Sequence, residues 1–136
     1  AGLSDDELFE KAIEAGADAL TAVNTLRAIA IDVDTQMPIL ANIKGGLSGA
    51  CMKPVALRCV YDIADQFEVP IIGCGGVSNW KDAVEFFLAG ASAVQIGTAV
   101  AGDIEVFRSV TKGIENYLRK KNARSVKDIV GLAHRK

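Results

Sequence analysis

The sequence predicts an α/β fold: the C-terminal half of a (β/α)8 TIM barrel, with parallel strands and flanking helices. Two short apolar runs carry this prediction, because each ends in small residues and leads into a helix-like segment. They are residues 69–74 before Gly75-Gly76, and residues 93–96 before Gly97-Thr98. Apolar runs without alternation are typical of parallel strands buried on both faces. An internal repeat supports the prediction, since residues 15–20 resemble residues 89–94 and both place a helix-ending glycine before a strand.

The first elements are a helix and a strand. Ser4 to Glu7 form a capping box, and apolar residues follow on one helical face behind it. Gly16 is a typical helix stop, and residues 17–23 then predict a strand.

The middle of the chain is more mixed. Residues 31–34 and 38–41 predict a small hairpin within the long stretch from Asn24 to Ser48. Pro54 is well placed at the first position of a helix. The buried face of that helix would use Leu57, Val60, Tyr61, Ala64 and Phe67.

The remaining elements alternate between strand and helix. We predict a strand at residues 70–74, a helix at 80–88, a strand at 93–96, a longer helix from a cap at Asp103 to Leu118, and a short helix opening at 125–128.

The predicted strands are too few for a closed barrel. Three long-range strands are visible, and the first residues already belong to a helix, whereas a complete (β/α)8 barrel takes about 250 residues. We therefore expect residues 1–136 to form a single partial barrel domain whose N-terminal half is missing.

Composition and charge exclude several classes of function. A net charge of −2 gives no electrostatic reason to bind nucleic acid, and no apolar run reaches the length of a membrane span. The cysteines Cys51, Cys59 and Cys74 lack CxxC spacing, which favours a reduced, cytoplasmic setting and argues against a zinc site. His134, the sole histidine, is expected to be solvated near the C-terminus, so histidine-dependent chemistry is not expected.

The glycines after the two apolar runs predict a phosphate cradle. Without side chains, their backbone N–H groups can approach an anion, and a nearby helix N-terminus adds a favourable dipole. The last two strands of a (β/α)8 barrel commonly carry such a site. The alternative is that these glycines serve only tight strand-to-helix turns.

Several motifs together resemble class 1 dihydroorotate dehydrogenase, most of all its class 1B catalytic subunit. They are residues 15–18 (AGAD), 23–25 (VNT), 38–42 (PILAN), 42–49 (NIKGGLSG), 53–58 (KPVALR), 75–77 (GGV) and 97–98 (GT). The resemblance covers nearly the whole chain, and its motifs are specific in combination but weak singly.

The resemblance implies an FMN-dependent barrel that oxidises dihydroorotate to orotate in pyrimidine biosynthesis. It implies that the FMN phosphate is held by Gly49, Gly75, Gly76, Gly97 and Thr98. Val23 would lie beside the flavin, and Asn24 and Thr25 would hydrogen-bond the orotate ring. An amide offers a donor and an acceptor to a pyrimidine edge, and a hydroxyl can do either. On the residues alone, Asn24-Thr25 is more simply a strand-end turn.

The resemblance places no catalytic residue in this chain. The family's catalytic cysteine, a general base, belongs to a loop of the N-terminal half, and Cys51 does not match it. Ala50 stands where the family often has proline. The chain alone is therefore expected to be inactive. The implied partner is a subunit that carries FAD and an iron–sulfur cluster and passes electrons to NAD.

Other functions stay open at this point. One is a barrel like dihydropyrimidine dehydrogenase, and another is a half-barrel that binds FMN or phosphate without turnover. A third is an interaction fragment with no ligand. In each case unpaired strand edges predict a homo-oligomer.

Overall fold

A computed structural model describes residues 5–135 of the chain. Its helices are α1 (Asp5–Glu14), α2 (Lys53–Gln66), α3 (Trp80–Ala89) and α4 (Val106–Lys120). Its strands are β1 (Leu20–Ala22), β2 (Leu26–Ala28), β3 (Ile31–Asp32), β4 (Met37–Pro38), β5 (Gly45–Leu47), β6 (Ile71–Cys74) and β7 (Ala93–Gln95). Short 3-10 segments span Ala50–Met52, Thr98–Ala101, Val126–Asp128 and Leu132–His134. None of the helices in this part of the chain has the length and apolar character needed to cross a membrane.

The central sheet has three parallel strands in the order β1-β6-β7. Leu20 pairs with Ile71, and Ile72 pairs with Ala93. The helices α2 and α3 connect these strands and pack beside them, as parallel crossovers require. The predicted α/β class with parallel strands is therefore confirmed, and the carboxyl ends of the three strands meet at one edge.

The core lies between this sheet and the helices. The largest fully buried side chains are Phe86, Ile63, Ile71 and Val60. Gly73 makes room for Phe86, because a Cβ at Gly73 would lie 2.5 Å from the ring. Gly113 of α4 likewise leaves room for the Trp80 ring of α3. Two glycines thus let the helices approach the sheet and each other closely.

Most predicted elements are present, with shifted ends. Helix α2 begins with Pro54 in its first turn, as predicted, and Gly16 follows α1 with a φ of 95°. The strand predicted at 17–23 forms only over Leu20–Ala22. The predicted N-cap at Asp103 is wrong: α4 begins at Val106 with Glu105 at the cap position. Asp103 instead accepts a hydrogen bond from the Glu105 amide at 2.9 Å.

Residues 26–47 form an antiparallel excursion. The predicted hairpin is confirmed in shorter form, since Ile31 pairs with Pro38 and Asp32 with Met37. A second ribbon, in which β2 pairs with β5, was not predicted. Its Gly45-Gly46 dipeptide has low strand propensity, so the sequence of this segment does not show the pattern of a strand.

The two ends of the chain carry the remaining predicted elements. Of the predicted capping box, Ser4 lies outside the described residues. The short C-terminal helix predicted from Ser125 is a 3-10 turn. The solvated His134 is a wrong prediction, because its side chain is only 20% exposed and its ring stacks on Tyr61 at 3.9 Å. His134 Nε2 lies 2.9 Å from the Ala89 carbonyl oxygen, which ties the C-terminal segment to the end of α3.

Candidate functional site

A cleft of about 250 Å³ opens at the carboxyl ends of β1, β6 and β7. Its walls come from the turns after these strands and from the loop between β5 and α2. All eight predicted site residues line it: Val23, Asn24, Thr25, Gly49, Gly75, Gly76, Gly97 and Thr98. The structure therefore brings together four separate stretches of chain that the sequence analysis assigned to one site.

The Gly75-Gly76 turn follows β6 and packs against the start of α2. Its φ angles are 134° and 78°, in the region that favours glycine. A Cβ at Gly76 would lie 2.8 Å from Lys53 N and 2.9 Å from the Gly49 carbonyl oxygen. Among residues 5–135, the amide N–H groups of Gly75 and Gly76 donate to no other protein group. Two unpaired donors thus lie beside the cleft.

The Gly97-Thr98 turn follows β7 on the next side of the cleft. A Cβ at Gly97 would meet nothing within 4 Å, so this residue borders open space. The 3-10 segment Thr98–Ala101 begins here, and the first N–H groups of a helical turn have no partner inside it. Thr98 Oγ1 donates to Ser48 Oγ at 2.9 Å, which joins this turn to the β5–α2 loop.

The residues after β1 form the remaining wall. The Val23 amide donates to the Cys74 carbonyl oxygen at 2.8 Å and extends the β1–β6 pairing by one residue. The Thr25 amide donates to Asn24 Oδ1 at 2.7 Å, but residues 23–25 form no turn, so the strand-end turn considered as an alternative is not present. Asn24 Nδ2 has no acceptor among the described residues. The Asn24 amide nitrogen is therefore an available donor at this wall of the cleft.

Several residues of the site were missed. Ser48 and Gln95 line the cleft, although the sequence analysis gave them no role. Ser48 lies within a motif that was noted, so its position beside Gly49 was an available signal. Gln95 carried no separate signal, because it lies within an apolar strand pattern.

A buried carboxylate behind the Gly75-Gly76 turn was also missed. Asp82 is 6% exposed, and its Oδ1 accepts from Lys53 Nζ at 2.7 Å. Asn79 and Asp82 form the capping box of α3, since Asn79 Oδ1 accepts from the amides of Lys81 and Asp82. The Asn-x-x-Asp spacing was a signal for this cap. The ion pair between Asp82 and Lys53 had no such signal in the sequence, because the two residues lie 29 positions apart.

The electrostatics of this pair keep both groups charged at neutral pH. Burial raises the pKa of the Asp82 carboxyl, but hydrogen bonds from Lys53 and Ser78 outweigh that effect and hold the pKa below its ordinary value. Hydrogen bonds to Asp82 and Glu85 raise the pKa of the Lys53 ammonium. The pair is an ion pair throughout the physiological range.

Comparison with known proteins gives the family. The family model described as dihydroorotate dehydrogenase matches residues 2–118. The chain belongs to the dihydroorotate dehydrogenase family. The description of the family names a dehydrogenase, which is an oxidoreductase, that acts on dihydroorotate.

Individual relatives agree with this assignment. The chain is 58% identical over 122 residues to dihydroorotate dehydrogenase B (NAD(+)), catalytic subunit, of Methanocella arvoryzae, covering 90% of the chain and 40% of the relative. It is 59% identical over 120 residues to the protein of the same name from Thermococcus kodakarensis, covering 88% and 40%. The chain thus spans about 40% of the length of these curated relatives.

Solved structures of the family confirm the fold class. The ligand-free dihydroorotate dehydrogenase of Eimeria tenella matches with a TM-score of 0.79 and 32% identity, covering 98% of this chain and 38% of that one. The structure of the same enzyme in complex with ferulenol matches with a TM-score of 0.78 and 32% identity, covering 98% and 36%. The sheet and helices described above therefore correspond to part of a TIM barrel.

Proposed function

We propose that this chain forms the FMN phosphate site and part of the substrate site of a dihydroorotate dehydrogenase, which oxidises dihydroorotate to orotate. One observation carries the proposal. The residues that the family resemblance assigned to FMN and orotate come from four distant stretches of the chain, and all of them line the same cleft.

The chemistry of the cleft fits a phosphate group. Gly75 and Gly76 offer unpaired amide donors, and Thr98 and Ser48 add hydroxyl groups. Gly97 leaves open space where a side chain would obstruct an approaching anion. The described residues that line the cleft include no carboxylate that would repel a dianion. Main-chain amides at the start of helical turns are a common way to bind phosphate.

The residues after β1 would orient the substrate. Asn24 Nδ2 is a free donor, and Thr25 Oγ1 lies 3.4 Å from Oδ1 of the same side chain, so the pair can meet the polar edge of a pyrimidine. Val23 would form the wall next to the flavin. FMN, when bound, supplies the acceptor for the hydride that the oxidation releases. We assign no general base to the described lining residues, so the chain alone should bind without turnover.

The proposed full enzyme includes a second subunit. The relatives from Methanocella and Thermococcus are named catalytic subunits, which supports a partner that carries the electrons onward. We propose that this partner holds FAD and an iron–sulfur cluster, and that the enzyme is cytoplasmic.

The first test is a titration of the 136-residue chain with FMN, followed by quenching of flavin fluorescence. Riboflavin is the matched control, because it has the same ring system without the phosphate. We expect saturable FMN binding that is at least tenfold tighter than riboflavin binding, since hydrogen bonds to a charged group contribute about 1.5–3 kcal/mol each. Equal affinities, or no FMN binding up to high micromolar concentration, would contradict the proposal.

Addition of dihydroorotate to the FMN complex separates binding from turnover. We expect the visible absorption of the flavin to persist, since the cleft lacks an assigned base. Bleaching by dihydroorotate would show that the chain carries out the oxidation by itself. Bleaching by a dihydropyrimidine instead would favour the dihydropyrimidine dehydrogenase alternative.

A further inference from the structure

We propose that Lys53 and Asp82 are positioning residues that hold the Gly75-Gly76 turn in its anion-binding conformation. This inference rests on the proposed function, since it assigns to these two residues the support of the phosphate cradle. Neither residue lines the cleft, so both would act through the turn.

The turn lacks anchors of its own. Gly75 and Gly76 have no side chains, and their amides donate to no protein group among residues 5–135. Both glycines lie at positive φ, and glycine has more backbone freedom than any other residue, so the two residues alone do not fix the turn. A cradle that must hold two N–H groups toward one point therefore needs support from its surroundings.

The first support is the start of α2. The ideal Cβ position of Gly76 lies 2.8 Å from Lys53 N and 2.9 Å from Lys53 Cβ. The ideal Cβ position of Gly75 lies 2.7 Å from Ala56 Cβ. The inner side of the turn therefore rests directly on the backbone of Lys53 and on Ala56, one helical turn further along.

The second support is the Asp82 carboxylate, on the far side of the turn. Asp82 Oδ2 accepts from the Ser78 amide at 2.9 Å, from Ser78 Oγ at 2.8 Å and from the Asn79 amide at 3.2 Å. It also accepts from Asn79 Nδ2 at 2.8 Å. One carboxylate oxygen thus accepts hydrogen bonds from both Ser78 and Asn79, the two residues between Val77 and α3.

The side chain of Lys53 joins the two supports. Its Nζ lies 2.7 Å from Asp82 Oδ1 and 3.0 Å from Glu85 Oε2. Lys53 therefore contacts the turn through its backbone and binds the Asp82 carboxylate through its side chain. The Asp82 side chain is 8% exposed, and loss of Lys53 would leave this buried carboxylate with its hydrogen bonds but without its main cationic partner. We therefore expect the loop from Gly75 to Asn79 to change conformation when Lys53 is replaced.

The test compares Lys53→Met and Asp82→Asn with wild type in the full 136-residue chain. The first readout is 15N relaxation of the Gly75 and Gly76 amides without flavin. We expect order parameters near 0.85 in wild type and below 0.6 in both variants. Asp62→Asn, which removes the exposed Arg58–Asp62 pair on α2, is the matched control and should leave both amides rigid. Lys53→Arg should restore most of the rigidity.

The second readout is the ratio of FMN to riboflavin affinity. We expect Lys53→Met to weaken FMN binding about tenfold with riboflavin binding unchanged, because only the phosphate group would accept hydrogen bonds from the amides of the turn. Equal losses for both flavins would mean a general structural role and would overturn the proposal.

The two readouts keep this inference separate from the proposed function. If wild type does not prefer FMN to riboflavin, the proposed function fails, and the relaxation data still decide whether Lys53 and Asp82 hold the turn. If Lys53→Met does not fold, Glu85→Gln removes only the outer partner and should shift both readouts in the same direction by less. Rigid Gly75 and Gly76 amides in every variant that folds would overturn the inference.

Discussion

Glycines of the same cleft have opposite structural roles. Gly76 has a φ of 78°, and a Cβ there would press on Lys53 N and the Gly49 carbonyl oxygen. Gly97 has a φ of −112°, and a Cβ there would meet no atom within 4 Å. The first glycine is needed to fold the turn, and the second is needed only to keep the cleft open.

This difference predicts that two alanine substitutions separate stability from binding. Gly76→Ala should destabilise the chain by more than the roughly 1–3 kcal/mol of strain at positive φ, because its Cβ would also clash with Lys53 N and the Gly49 carbonyl oxygen. Gly97→Ala should leave the free energy of unfolding within about 0.5 kcal/mol of wild type, yet weaken FMN binding. Urea unfolding and FMN titration of both variants provide the check.

Gly102→Ala is the control, because Gly102 lies just beyond the 3-10 segment and outside the cleft lining. It should change neither quantity. Unchanged FMN affinity in Gly97→Ala would mean that the phosphate does not pass close to this residue.

At the residue scale, the sequence pattern predicted the placement of residues at strand ends. Glycines after apolar runs mark strand ends, and in parallel strands those ends share one edge, so Gly75, Gly76 and Gly97 could be named from the pattern. The family resemblance, and not the pattern, named Val23, Asn24, Thr25 and Gly49. His134 could not be placed, because its burial depends on Tyr61 and Ala89, which lie 73 and 45 residues away. Local sequence contains no signal for such a contact.

At the scale of elements, the helix ends that proline or glycine marks were predicted best. Helix α2 begins with Pro54 in its first turn, and helices α1 and α3 end near Gly16 and Gly90, as the sequence indicates. Each of these residues affects the backbone at its own position. The ribbon of β2 and β5 was missed, because its stability comes from pairing between residues 17 to 21 positions apart and not from strand propensity. The buried face of α2 was only partly correct: Tyr61 is 37% exposed, while Ala56 and Ile63 are buried.

The capping box of α3 predicts an acid-dependent stability. The pKa of Asp82 in the folded chain lies below its ordinary value of 3.8. Its contribution to the free energy of unfolding is therefore present well above the ordinary pKa of 3.8 and is lost as the pH falls through the folded pKa. Urea unfolding at pH 6 and pH 3 should show a larger loss of stability in wild type than in Asp82→Asn. Equal losses in the two proteins would contradict the prediction.

At the scale of the whole molecule, much apolar surface is open. Within the described residues, β1 and β7 each pair with a single neighbour, so the sheet has two free edges. The excursion of residues 26–47 also exposes large apolar side chains: Leu26, Ile29, Ile31, Val33, Met37, Ile39, Leu40, Ile43 and Leu47. So many exposed apolar side chains in one segment favour an interaction surface. Local sequence could not predict what would cover them, because the apolar residues of this segment carry no signal for a particular partner.

We predict that the 136-residue chain associates with itself at micromolar concentration. Sedimentation velocity should show dimers or larger species. The double variant Ile31→Lys with Ile39→Lys should shift the distribution toward monomer, because it places charges on both arms of the hairpin. Ile104→Lys, at an exposed residue outside the excursion, is the control and should not. A monodisperse wild-type monomer would contradict the prediction.

The main-chain construction of the cradle has a consequence for sequence divergence. Any codon change that replaces Gly76 adds a side chain, and the turn has no room for one. Elsewhere, by contrast, many substitutions leave the path of the main chain unaltered. Such a site constrains evolution at very few codons and lets the outer faces of the helices drift.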